Sequence, residues 1–359
     1  MNNVISGKQC ALFCSIMLFS SKLLVLPSLL YAENKAASIL SVTLIFALEF
    51  LFLIFLINFK KKNKKISFFN FFEQKIGKIL TKIILLLLFL FFILKAVYIM
   101  QESFSFLKRS LYTEASIAIF LICLLPPVTA FAYKGLKSFG RTLEIFYLVI
   151  IALIVFCTLV WLISVKNFSF TILDSGGIAD FFVTFYKYTF WFGDLLFLMY
   201  ILDKVEFTEK TKSQLLRYSG FTMLFVLLFM VVYFITFQTT SFAHPFAILD
   251  IIQFVSDFGT VGKFDIVALT AVMFIIYFQI GMLTFCAADC LKKIVPFGHK
   301  AQSLIVINFI YVIASYVVFN NANSLVLFYS SSLSYFSIFL VYFVPILFVL
   351  FSGFKRGAK

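Results

Sequence analysis

The sequence predicts an all-α membrane protein of about ten transmembrane helices, arranged as two inverted five-helix repeats with broken helices one and six. Three observations carry that expectation. Hydrophobic residues make up 63% of the chain and charged residues only 13%, with a mean hydropathy of +1.07, which excludes an ordinary soluble globule. The apolar residues fall into ten runs, at about 9–31, 36–58, 79–101, 115–133, 143–164, 181–202, 215–238, 264–291, 301–319 and 325–351. Most of these reach the roughly 20 residues that a spanning helix needs. Finally, runs one and six, five spans apart, are each interrupted at the centre, and matching interruptions of that kind point to an inverted repeat with a site at the midplane.

Within residues 7–35 two half-length apolar pieces, 10–19 and 23–30, flank Ser20, Ser21 and Lys22, and Pro27 follows. A lysine at mid-membrane depth is costly and marks a functional position by default; the alternative is a side chain that snorkels to a water-filled vestibule. A signal peptide is disfavoured, because Leu30-Tyr31-Ala32 lacks the small residue that cleavage needs and the run is long. The second run is interrupted only by Glu49 and stops at Lys60, Lys61, Lys62, Lys64 and Lys65. The third carries Lys95 and Tyr98 and leads to Glu102; a structural reading pairs Lys95 with Glu49 or Glu102. The fourth ends through Pro126-Pro127 into a basic turn with Lys134, Lys137 and Arg141. A polar loop with Asp174, Gly176, Gly177 and Asp180 follows the fifth.

The sixth run is broken at Trp191-Phe192-Gly193-Asp194. Between the seventh and eighth, residues 244–262 are too short and polar to cross. Their portion 245–257 has helical spacing and is expected to lie against the outer face. The eighth run ends at Cys290-Leu291-Lys292-Lys293, and the tenth carries Pro345. With no long polar insertion, residues 1–359 read as one membrane domain: repeat one at about 9–164, repeat two at about 181–319, and a last span at 325–351.

Lysine and arginine bias sets the orientation. With the N-terminus inside, inner segments hold 22 of the 30 basic residues, outer segments five, and the spans three (Lys22, Lys95 and Lys187). Both termini are therefore expected in the cytoplasm, with the inner basic rim against the lipid headgroups of the bilayer. The six cysteines all sit in apolar runs without metal-ligand spacing and read as small buried hydrophobes. No glycine-rich phosphate loop, metal cluster or nucleophile with a positioned base occurs, so an enzyme is not expected, nor a cofactor or metal. Basic residues that follow topology also argue against nucleic acid as a partner.

Unwinding a helix inside a membrane frees backbone N–H and C=O groups that protein, water or ligand must satisfy. Half-helix N-termini favour a carboxylate and freed carbonyls favour an ammonium or cation, which together suit an amino-acid-like small molecule. The candidate ligand-binding residues are Ser20, Ser21, Lys22 and Leu23 at the first break, Lys95 and Tyr98 on the third span, and Trp191, Phe192, Gly193 and Asp194 at the second break. Each also has a structural reading. Gly193-Asp194 can cap a kinked helix, and Trp191 and Phe192 occur in a chain with one aromatic residue in five. His244 and His299 fall in loops and read as solvated. Arg141 and Glu144 read as an inner-gate salt bridge or as headgroup anchors.

The opening Ile5-Ser6-Gly7-Lys8-Gln9, Leu26-Pro27 after the first break, and residues 135–144 (GLKSFGRTLE) resemble the spore germinant-receptor B subunits, ten-span members of the amino acid–polyamine–organocation transporter superfamily. Length and span count are similar over the whole chain. The resemblance implies a subunit of a nutrient receptor in the inner membrane of a dormant spore, sensing an amino acid or similar germinant alongside an A subunit and a lipoprotein C subunit. The chain departs from that family at the first break, where relatives usually carry small residues and this sequence has Ser20-Ser21-Lys22. Lys22 there can fill a substrate's space or stand in for a coupling cation, and adjacency of the two broken spans places it near Asp194. Three functions follow as alternatives: a germinant receptor, an amino-acid permease coupled to protons through Lys22 or Asp194, and a scaffold whose pocket Lys22 has filled.

Overall fold

A computed structural model describes residues 4–63, 66–110, 114–164, 178–237, 240, 243–257, 264–295, 299–319, 333–344 and 346. The helices in chain order are α1 (Gly7–Phe19), α2 (Leu26–Asn34), α3 (Ser38–Lys62), α4 (Phe68–Ile76), α5 (Lys78–Ser110), α6 (Ile117–Lys134), α7 (Leu136–Ser164), α8 (Ile178–Tyr188), α9 (Leu198–Ile201), α10 (Glu209–Phe237), α11 (Ala247–Asp257), α12 (Phe264–Ile294), α13 (Lys300–Phe319) and α14 (Leu333–Phe343). No strand occurs among the described residues; Ile5 and Val205 form an isolated parallel bridge.

Seven of these helices are long and apolar enough to cross a membrane: α3, α5, α6, α7, α10, α12 and α13. The two broken runs supply α1 with α2, and α8 with α9. The tenth run is seen only as α14, and Pro345 lies outside the described residues, as do Asp174, Gly176 and Gly177.

Sequence character decides which helices sit at the centre. Residues 9–19 of α1 are buried on every side, as expected of a helix that is apolar all round. α1 packs against α10, α7 and α12, and α12 packs along α5. α6, α7 and α13 instead expose Ile122, Leu148 and Phe309, the bulk that faces lipid in a spanning helix. α7 begins at Leu136 rather than near 143, because Gly135, at φ +89°, turns the chain tightly out of α6 and the basic segment continues as helix. α4 was not foreseen. Ser67 caps it by accepting from Asn70 N at 3.1 Å, and of its buried Phe68, Phe69 and Phe72 the first lies against Phe59 and the second against Tyr200.

Both ends of the broken spans are tied down. At one end Ile5 N donates to Lys204 O (2.9 Å) and Glu206 N to Ile5 O (3.2 Å). Beside that bridge, Lys60 pairs with Asp203 and Lys204 with Asp289, each at 2.7 Å. At the other end Lys187 pairs with Glu33, and Tyr188 OH donates to Leu29 O at 3.2 Å.

Candidate functional site

Each break has a local cause. α1 gives way at Ser20–Lys22 to a single tight turn, and α2 restarts with Pro27 in its first turn, where a missing N–H is harmless. In the sixth span the helix tightens over Thr189–Trp191, and Gly193 then adopts the left-handed conformation (φ +78°, ψ 15°) before the turn Asp194–Phe197. A side chain at Gly193 would also run into Val341, so both backbone and space select glycine.

The breaks meet at Asp194. Its Oδ2 is ion-paired with Lys22 Nζ, and its Oδ1 lies 2.7 Å from Lys95 Nζ. Lys22, Lys95 and Asp194 are all buried, so these charges face one another out of water. Lys95 Nζ also donates to Phe192 O at 2.7 Å and Trp191 O at 3.3 Å. Lys22 Nζ stands 5.1 Å from the centre of the Phe192 ring and Lys95 Nζ 5.5 Å from that of Phe91. Glu49 Oε1, from α3, accepts from Gly193 N at 2.6 Å. Two ammoniums are thus set among two carboxylates, Asp194 and Glu49. Tyr98 OH donates to Glu102 Oε1 at 2.5 Å, and the Tyr98 ring meets Trp191 edge-on at 5.2 Å.

The freed backbone groups have partners of their own. At the first break Leu24 O accepts from Ala247 N (3.1 Å) and Leu23 O from Ile248 N (3.2 Å), so of the three possible sources, protein, water or ligand, it is protein at the start of α11 that covers these carbonyls. Gln279 Nε2 reaches Met17 O at 3.5 Å. At the second break Lys95 covers the carbonyls of Trp191 and Phe192, and Glu49 covers the Gly193 N–H.

Of the candidate residues, Lys22, Lys95, Trp191, Phe192, Gly193 and Asp194 therefore converge, with Tyr98 packed on Trp191. Leu23 joins through its carbonyl, Ser21 is buried at the break, and Ser20 opens the turn there. Several readings need correction. Lys95 pairs with Asp194 rather than with Glu49 or Glu102, because the second break turns Asp194 toward it and Glu102 is bonded to Tyr98. Glu144 accepts from Gln9 Nε2 of α1 at 3.2 Å, in place of the salt-bridge alternative, while Arg141 is exposed, which leaves the headgroup-anchor alternative for it. His244 is not simply solvated: its Nδ1 lies 3.4 Å from Asp250 Oδ1 and its ring 4.1 Å from Phe237, whereas His299 is exposed. Burial pushes the Asp250 carboxyl up from the ordinary range, with His244 and Arg109 pulling against it. Sequence reasoning left Glu49, Ala247 and Ile248 out of the site. For Glu49 the signal was present, as the lone acid in an apolar span.

A family model described as spore germination protein matches residues 4–324 of the chain. Among solved structures, a Na+-coupled sialic acid symporter in its substrate-bound outward-open state is 14% identical, with a TM-score of 0.68 over 98% of this chain and 80% of that one. At that identity the likeness shows the fold alone, a transporter architecture of inverted repeats with broken helices. None of the curated proteins matches the chain.

Proposed function

The chain belongs to the spore germination protein family, and from that membership we propose that it is the ligand-sensing membrane subunit of a nutrient-germinant receptor. It is an integral membrane protein of transporter or receptor type. The finer reading is that an amino acid or similar small germinant binds where the two breaks meet, among Ser20, Ser21, Lys22, Leu23, Lys95, Tyr98, Trp191, Phe192, Gly193 and Asp194. One observation carries it: the buried Lys22–Asp194 pair joins the two broken spans across the centre of the bundle.

That pair has the chemistry of the ligand it would admit. A zwitterion offers its carboxylate to Lys22 and its ammonium to Asp194, replacing one contact by two of the same kind. The ligand then sits between spans one, three, six and eight, and it shifts the bundle only to the extent that it binds the separated arrangement better than the paired one. Lysine and arginine bias supports placing the Ile5–Val205 end in the cytoplasm and the Lys187–Glu33 end outside, in the inner membrane of the spore. A and C receptor subunits are the proposed partners. The repeats are assigned to about 9–164 and 181–319, with the last span at 325–351.

The test is thermal-shift screening of common amino acids on the purified protein and on Lys22→Gly. Stabilisation of the wild type by one amino acid, lost in Asp194→Ala, is the expected result. A shift seen only with Lys22→Gly would mean that Lys22 plugs the site and the scaffold reading holds. The transporter fold favours a permease as second reading, which predicts accumulation of labelled amino acid in vesicles containing this chain alone.

A further inference from the structure

Beside the second break lies a cavity of about 210 Å³, bounded by α3, the turn that follows Gly193, and α14. Leu48, Leu51 and Phe52 form one wall, and Leu195, Leu196 and Val341 contribute to the others. It opens toward the exposed side chains of Leu51 and Ile346, on the surface that a bilayer would cover. Glu49 lines it. The Oε1 atom of Glu49 is committed to Gly193 N, but its buried Oε2 has no hydrogen-bond partner. An acceptor left unsatisfied in an apolar surround is costly, so something that supplies a donor at Oε2 is favoured there.

Three properties define the occupant. Size comes first: an apolar cavity of about 150 Å³ accepts benzene, so this one takes a single aromatic ring with a short substituent. Water meets only the minimum of the 2–4 polar partners it needs, because among the described residues Glu49 and Tyr342 are the lining side chains with polar atoms, so one water at Glu49 Oε2 and Tyr342 OH would leave the remaining apolar volume unfilled. Charge is the third property. Lys22 and Lys95 are matched by Asp194 and Glu49, so a further cation would leave the cluster with unbalanced charge in low dielectric.

We propose that this cavity is a second, lateral binding site, entered from the lipid, for an uncharged aromatic-sized molecule that donates one hydroxyl to Glu49 Oε2. Because the same carboxylate holds the Gly193 N–H, an occupant there is coupled to the second break without touching Lys22. This inference is independent of what binds between the breaks.

The probe is 3-fluorobenzyl alcohol, followed by fluorine NMR with the full chain in lipid nanodiscs and with empty nanodiscs as reference. Saturable binding is expected, at least tenfold weaker for 3-fluorotoluene, which has the shape without the donor. Leu48→Trp fills the cavity and should abolish it. Should that variant fail to fold, Leu51→Trp at the mouth serves the same purpose. Binding that does not saturate, binding equal for the toluene, or binding untouched by the folded tryptophan variant would each overturn the proposal.

Discussion

Asp194 neutralises two lysines at once, and this makes the substitutions at its cluster unequal. Asp194→Ala leaves Lys22 and Lys95 facing each other in low dielectric with only Glu49 near, and removing one partner of a buried pair costs about 3–5 kcal/mol. Lys22→Ala leaves the 2.7 Å Lys95–Asp194 contact in place, so its loss should be clearly smaller. Thermal unfolding in detergent checks the order; equal losses would mean that Asp194 does not bind both ammoniums. Gly193→Ala belongs at the same scale. A left-handed alanine costs about 1–2 kcal/mol, and the contact with Val341 adds to that, so a fall in melting temperature is expected even though no charge changes.

Among the elements, α11 makes the least obvious contribution, since it lies outside the spanning set and yet closes the first break. Ile248→Pro tests this, because proline is tolerated in a first helical turn while its missing N–H strips Leu23 O of its donor. A loss of about 1–3 kcal/mol is expected, the penalty for an unsatisfied buried carbonyl, and no change in melting temperature would show that α11 is not the cap. The same helix carries a carboxyl whose contribution to stability depends on pH. A carboxyl whose pKa is raised on folding favours the folded state only while protonated. For Asp250 that contribution is complete below the ordinary value of about 3.9 and is lost as pH rises through the higher folded value. The melting temperature of the wild type should therefore fall relative to Asp250→Asn as pH is raised from about 4, and parallel curves would show that burial does not disfavour the Asp250 charge.

For the whole molecule, the closed end at Ile5 and Val205 bears on whether the bundle must rock. A disulfide between Ile5→Cys and Val205→Cys should leave amino-acid stabilisation intact while ending any vesicle uptake, and its reduction should restore uptake. Stabilisation lost together with uptake would mean that the Ile5 end must open for ligand to bind. The bundle was legible in the sequence because spanning helices announce themselves by length and apolarity. The two breaks were legible because Lys22 and Asp194 interrupt such runs. The partner of Lys95 was not, since Glu49 and Glu102 were the acids weighed for it while Asp194 was assigned to Lys22, and only the course of the chain through Gly193 brings Asp194 to both. The cap from α11 and the short helix α4 escaped for a related reason: a short amphipathic segment shows which face is buried, not how deep it lies or whose carbonyls it meets.

The carbonyls of Leu23, Leu24, Trp191 and Phe192 and the N–H of Gly193 are all satisfied by the chain itself. Unwound helices in membranes otherwise draw on water lining a cavity to serve such groups. A centre partnered in this way does not depend on hydration for its shape. Drying would leave these backbone hydrogen bonds in place, so under the proposed role a germinant sensor would keep the shape of its two breaks through desiccation.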